Sequence, residues 1–200
     1  MIRAPHIDLA RLPNYGFGSR MTMFWGTIAF IALEGTGFVL AIGTYLYLMA
    51  MNREWPIGAS PPNLLASSLL TAVLVLSEIP NYFVRRWAKQ EQLGAVRVGL
   101  VIMSLVGVVL LVIRAFEFPL LNVSWDTNAY GSIVWFLLGL HTTHIATDVG
   151  DTIVLTALMF TRHGHAGRRF SDCEDNATYW DFVVLSWIPI YILLYWVPRW

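Results

Sequence analysis

The stretch GSIVWFLLGLHTTHIATDVGDTIVLTALMF, residues 131–160, is apolar for most of its length yet carries His141, His144, Asp148 and Asp151. These four lie at offsets of 0, 3, 7 and 10, which at about 100° per residue places them within an arc of roughly 80° on one helix. The stretch is long enough to cross a bilayer, where a charge near the centre costs at least about 2.5–3.5 kcal/mol. The stripe therefore has to face protein, water or a partner subunit, and the chain reads as a working part of a membrane assembly.

Composition agrees. Of 200 residues, 56% are hydrophobic and 13% charged, about half the charged share of a typical soluble domain. Formal net charge is zero, so nothing electrostatic favours nucleic acid. Cys173 is the lone cysteine. It falls in a polar stretch read as a loop, which excludes a disulfide within the chain and argues against a Cys-based metal cluster. The opening MIRAPHIDLARLPNYGFGSRMT has no short apolar core followed by a small-residue cleavage site, so no cleaved signal peptide is expected.

Five apolar stretches can each span about 30 Å of hydrocarbon: roughly residues 24–51, 64–84, 96–116, 133–160 and 179–197. The expectation is a single all-α, polytopic membrane domain over residues 1–200. Asn52-Arg53-Glu54 with Pro56 to Pro62, then Arg85-Arg86 with Lys89 to Gln92, end the first two spans. Pro119 with Ser124 to Asn128, then Arg162 to Asp175, end the next two. Of the 13 Lys and Arg, ten lie before the first span, between the second and third, or between the fourth and fifth; only Arg53, Arg114 and Arg199 fall on the other side. This alternation predicts five spans, a cytoplasmic N-terminus and an external C-terminus. Trp25, Trp55, Trp87, Trp125, Trp196 and Trp200 sit near span ends as interfacial anchors, and small residues such as Gly99, Gly107 and Gly139 suit close helix packing.

Glu34 lies about ten residues, or 15 Å, into the first span. On an antiparallel fourth span His144 falls at similar depth, so a Glu34–His144 pair would offset the desolvation of both. A latch between helices and a proton or substrate pathway both fit this pair, as does a protonated, neutral Glu34. Arg114 and Glu117 are expected to pair at spacing three. Glu78, just before Pro80, reads as a snorkelling or Pro-bend residue, and Asp181 as an acid favoured by a helix start. The only histidines in the spans are His141 and His144 on one helix, which cannot ligate opposite faces of a haem. His163 and His165 beside Arg162 and Arg168 read as a solvated basic loop able to touch anionic lipid.

In order along the chain, WGTIAFIALEGTGFVL (25–40), PPNLLASSLL (61–70), FEFP (116–119), NAYGSIVWFLLGLHTTH (128–144) and YWDFVVLSW (179–187) resemble the third subunit of the haem–copper respiratory oxidases, in its five-span form. The Tyr-Gly-Ser and Gly-x-His-x-x-His segment is the most specific match. The resemblance implies a non-catalytic subunit without redox centre, in a bacterial plasma membrane. It would pack beside the haem- and copper-bearing subunit I and subunit II, hold phospholipid in a cleft between its helices, and support proton uptake during oxygen reduction. No catalytic, cofactor-binding or metal residue is then expected in this chain; Glu34, His141, His144, Asp148, Asp151 and Asp181 are its expected buried polar contacts. The pattern departs where the family usually carries His in place of Asp181 and Asp in place of Val184, and where Asp148 and Asp151 replace apolar or small residues. An accessory subunit of a nitric oxide reductase is the neighbouring alternative. A small proton channel or transporter built on Glu34 and the aspartate stripe is the alternative of another class.

Overall fold

The computed structural model describes residues 22–165 and 167–199. His6 and the arginines at 3, 11 and 20, the side chains of His163 and His165, and Trp200 lie outside the described residues, so the lipid-contact reading of the His163 loop does too. The described residues form helices with no strand among them: α1 (Thr22–Met51), α2 (Leu64–Leu76), α3 (Glu78–Lys89), α4 (Leu93–Glu117), α5 (Ala129–Met159) and α6 (Gly167–Tyr191). A short 3₁₀ turn, Phe118–Leu121, extends α4, and α6 continues through a π turn, Ile192–Trp196, and a 3₁₀ turn, Val197–Arg199.

Local chemistry sets these limits. Asn63 and Asn128 cap α2 and α5, accepting from Leu65 N at 2.9 Å and Gly131 N at 2.8 Å, because the first N–H groups of a helix lack internal partners. At Gly131 the chain passes so close to the Ser124 carbonyl that a Cβ would collide with it. Arg97 Nε donates to Met159 O at 2.8 Å, closing the carbonyl end of α5. α2 and α3 are two halves of one rod, Leu64–Lys89, interrupted at Ser77. Pro80 has no N–H for the Leu76 carbonyl, and the Ser77 hydroxyl accepts from Trp180 Nε1 at 2.8 Å.

α6 is the central element, packing against α1, α2, α3 and α5, while α4 packs against α2, α3 and α5. Three aromatic residues of α6 bond to the second rod: Trp180 to Ser77, Trp187 Nε1 to Thr71 Oγ1 at 2.7 Å, and Tyr191 to Ser68 at 2.8 Å. These aromatic residues recur at helical spacing, so one stripe of α6 carries all three. Pro189 removes a backbone donor from the last turns of α6, and the helix there loosens into the π turn.

Four rods are long and apolar enough to cross a membrane: Thr22–Met51, Leu64–Lys89, Leu93–Leu121 and Gly167–Arg199. α5, with 31 residues, is equally long but less apolar, and it lies among α1, α4 and α6. Leu33, Val39, Leu65 and Leu105 are exposed on the bundle, the outward apolar surface that hydrocarbon accepts and water does not.

Two expectations are corrected. The last rod begins at Gly167, not at Tyr179, and Cys173 is buried inside it, not in a loop. Hydropathy marks only the apolar part of a helix; Phe170, Cys173, Ala177 and Trp180 form a buried stripe at helical spacing through the polar turns. Asp181 consequently lies mid-helix, fourteen residues past the start, and its position owes nothing to a helix terminus.

The α4–α5 contact depends on Gly107, where an added Cβ would strike Val149 Cγ2. Gly107→Ala is expected to destabilise the protein by about 1–3 kcal/mol through overpacking. Thermal unfolding in detergent checks this, and Val149→Ala in the same chain should recover part of the loss.

Candidate functional site

α5 carries its polar stripe into a seam between α1 and α6. At mid-seam, His144 Nδ1 meets its own helix carbonyl, Leu140 O, at 2.6 Å. A carbonyl only accepts, so Nδ1 bears the hydrogen. Nε2 then faces Glu34 Oε1 at 3.3 Å. That distance suits an ion pair, but the direction is poor for a hydrogen bond, and Nε2 has none. One proton between these atoms makes the contact attractive, whether it sits on the carboxyl or on the imidazole. Tyr179 donates to the other carboxyl oxygen, Oε2, at 2.6 Å, and Phe38 packs on the His144 ring with centroids 4.8 Å apart. Glu34 thus links α1 to both α5 and α6.

Toward the C-terminal end of α5, Asn176 on α6 gathers the two aspartates. Its Nδ2 donates to Asp148 Oδ1 at 3.1 Å and reaches Asp151 Oδ2 at 3.5 Å, while its Oδ1 accepts from Thr152 at 3.2 Å. Asp148 is buried and its Oδ2 has no partner; Asp151 is exposed. Both line a cleft of about 590 Å³ between α1, α5 and α6. Phe30, Val154, Leu155 and Leu158 supply apolar wall, and Arg168, Arg169 and Asp172 stand at the end where α6 begins. Arg169 pairs with Asp172 at 2.9 Å.

In the opposite direction the stripe ends at His141, which belongs to a separate cluster. Arg114 NH2 donates to His141 Nδ1 at 2.9 Å, and His141 Nε2 donates to Val183 O at 3.0 Å. The partners fix the tautomer: Nδ1 accepts, Nε2 carries the hydrogen, and the ring is neutral. Arg114 NH1 binds Glu117 Oε2 at 2.7 Å, Tyr195 donates to the other Glu117 oxygen, and the guanidinium lies 4.2 Å from the Trp187 ring. Arg114 and Glu117 are each 1% exposed and His141 0%. Arg114 and Glu117 pair as spacing three suggests. The links to His141, Tyr195 and Trp187 were missed because each comes from another helix.

Asp181 belongs to neither cluster. It accepts from Asn81 Nδ2 at 2.9 Å and pairs with Arg85, on the contact between α3 and α6. Among the described residues no group of three or more His, Cys, Asp or Glu is arranged to hold a metal ion.

Removing one member of a buried ion pair leaves an uncompensated charge. Glu117→Leu is therefore expected to cost about 3–5 kcal/mol, read as a lowered unfolding midpoint in detergent. Arg114→Met combined with Glu117→Met should cost less than Glu117→Leu alone, since no buried charge is left over.

The sequence profile of the family described as "Cytochrome c oxidase subunit III" matches residues 15–199. Proteins described as "Cytochrome c oxidase subunit 3" are similar along most of the chain. The protein of Thermostichus vulcanus is 24% identical over 176 residues, 87% of this chain and 87% of that protein. The Drosophila melanogaster protein is 26% identical over 185 residues, 86% of this chain and 68% of that protein. The Loxodonta africana protein is 29% identical over 187 residues, with the same two shares. With a profile that runs through all six helices, this chain belongs to the cytochrome c oxidase subunit III family.

Proposed function

We propose that this chain is the non-catalytic subunit III of a respiratory haem–copper terminal oxidase in a bacterial plasma membrane. In this role it stabilises the catalytic subunit and supports proton uptake while oxygen is reduced elsewhere in the complex. The observation that carries the reading is the family match over residues 15–199. The side chains support it, because both ring nitrogens of His141 and one of His144 are already engaged, so the two histidines of α5 do not form a haem-ligating pair. Haem and copper belong to the partner subunits, I and II. The relatives are described as oxidase subunits, which favours an oxidase over a nitric oxide reductase as the parent complex. A free-standing proton channel fits poorly, since toward the external side the stripe ends at His141, whose two ring nitrogens are both held, by Arg114 and by the Val183 carbonyl.

All five rods cross the membrane in this reading, with the N-terminus in the cytoplasm and the C-terminus outside. The alternation of Lys and Arg along the chain supports that order. α5 crosses despite its polarity because α1, α4 and α6 pack against it. The cleft between α1, α5 and α6 takes a phospholipid, its tails against Phe30, Val154 and Leu158 and its phosphate toward Arg168.

Purification of the native complex through a tag on this chain is expected to bring down a haem-bearing subunit with the optical spectrum of a haem–copper oxidase. Haem with non-haem iron and no copper would overturn the oxidase assignment. Glu34→Ala or His144→Ala should shorten the period of sustained turnover, measured by oxygen consumption, while the initial rate changes little. Loss of haem absorbance in an intact complex would contradict the absence of redox ligands here. Arg168→Ala should lower the phospholipid retained per complex, counted by mass spectrometry.

A further inference from the structure

A second set of charges lies on the outer side of the bundle. Arg85 and Asp181 form an ion pair with 27% and 31% of their side chains exposed, beside the exposed Tyr82 and Leu185. With Glu78 and Val184 they line a pocket of about 350 Å³. Asp181 is well served by Asn81 and Arg85, both of which also donate to Ala177 O, at 3.0 and 2.8 Å. Glu78 meets Asn81 and Asp181, yet its Oε1 is buried without a hydrogen-bond partner, and so is Arg85 Nε. Two carboxylates thus share one guanidinium.

Depth decides what can complete this set. Glu78 lies eleven residues before the end of α3, and Asp181 fourteen residues after the start of α6, about 16 Å and 21 Å along the helices. A lipid headgroup does not reach that depth, and acyl tails offer no hydrogen bond. A second copy of this chain would set the same excess acid against acid. The complement is a different polypeptide with a donor at mid-membrane.

We propose that the α3–α6 face carrying Glu78, Arg85 and Asp181 docks a transmembrane helix of the catalytic subunit, which presents a hydrogen-bond-donating or cationic side chain to Glu78. This rests on the role as an oxidase subunit and adds the face through which it is fulfilled. Glu78 is then a contact residue across the interface, and Arg85 and Asp181 hold the pocket open beside it.

The test uses the tagged native complex with benzoylphenylalanine in place of Tyr82 or Leu185. Illumination is expected to join this chain to the haem-bearing subunit from both positions. Adducts only to lipid, to a second copy, or within the chain overturn the docking face. In parallel, Glu78→Gln, which keeps an acceptor oxygen, should stay bound, whereas Glu78→Leu should lower the chain retained with the haem-bearing subunit after a detergent wash by about tenfold. Circular dichroism of both variants checks that the fold is kept; unchanged retention of a folded Leu variant overturns the proposal. An unsubstituted chain that brings down no haem-bearing subunit overturns the functional role itself, whereas co-purification with adducts elsewhere overturns this face alone.

Discussion

The guanidinium of Arg114 cannot shed its proton inside the bundle, and much of the architecture answers that constraint. Glu117 neutralises it from the same helix, His141 accepts from it on α5, Trp187 on α6 offers a ring face, and Tyr195 closes the far side of the carboxylate. One cation thereby fixes the relative positions of α4, α5 and α6. It also fixes the orientation of the C-terminal π turn that carries Tyr195. In hydrocarbon such a cluster has no aqueous alternative, so each partner holds the others in place more firmly than at a wet surface.

α1 is attached by different means. Apart from apolar packing, it meets the rest through Glu34, bound to Tyr179 on α6 and facing His144 on α5, and through Tyr45, which donates to Leu193 O at 3.0 Å. Between these two attachments Phe38 fills the seam; beyond Glu34, toward the start of α1, the helices part into the cleft. The cleft thus exists because α1 is held at mid-length and near its C-terminal end. Gly35 faces the Phe182 ring next to the Glu34 contact, so α1 lies close to α6 there.

How much of this could be read from the sequence depended on whether one element supplied the information. The Arg114–Glu117 pair follows from spacing on a single helix, and four of the rods follow from hydropathy. Glu34 opposite His144 needed only the depth of each residue on antiparallel helices. The neighbours of His141 could not be reached this way. Arg114 already had a partner in sequence, and nothing in a linear pattern reveals which faces of α4 and α6 turn toward α5. Asp181 was misjudged because its helix begins twelve residues earlier than its apolar run, which turned a mid-helix acid into a terminal one. The stripe of Phe170, Cys173 and Ala177 was present in the sequence and would have shown the earlier start.

The same reasoning separates the two sets of acids that interrupt the apolar surface. Asp148 and Asp151 open onto a cleft inside the chain, where Asn176 divides one amide between them and Arg168 and Arg169 stand nearby at the mouth. Their charge can be met by water or by a lipid headgroup entering from the end of the bundle. Glu78 and Asp181 open outward at mid-depth, where neither is within reach, and only one guanidinium is at hand. An acid whose solvent lies inside the fold can be accommodated by a subunit standing alone. Asp181 is met by Asn81 and Arg85, but Glu78 Oε1 is left without a hydrogen-bond partner, so the second set marks the side on which another protein completes this subunit.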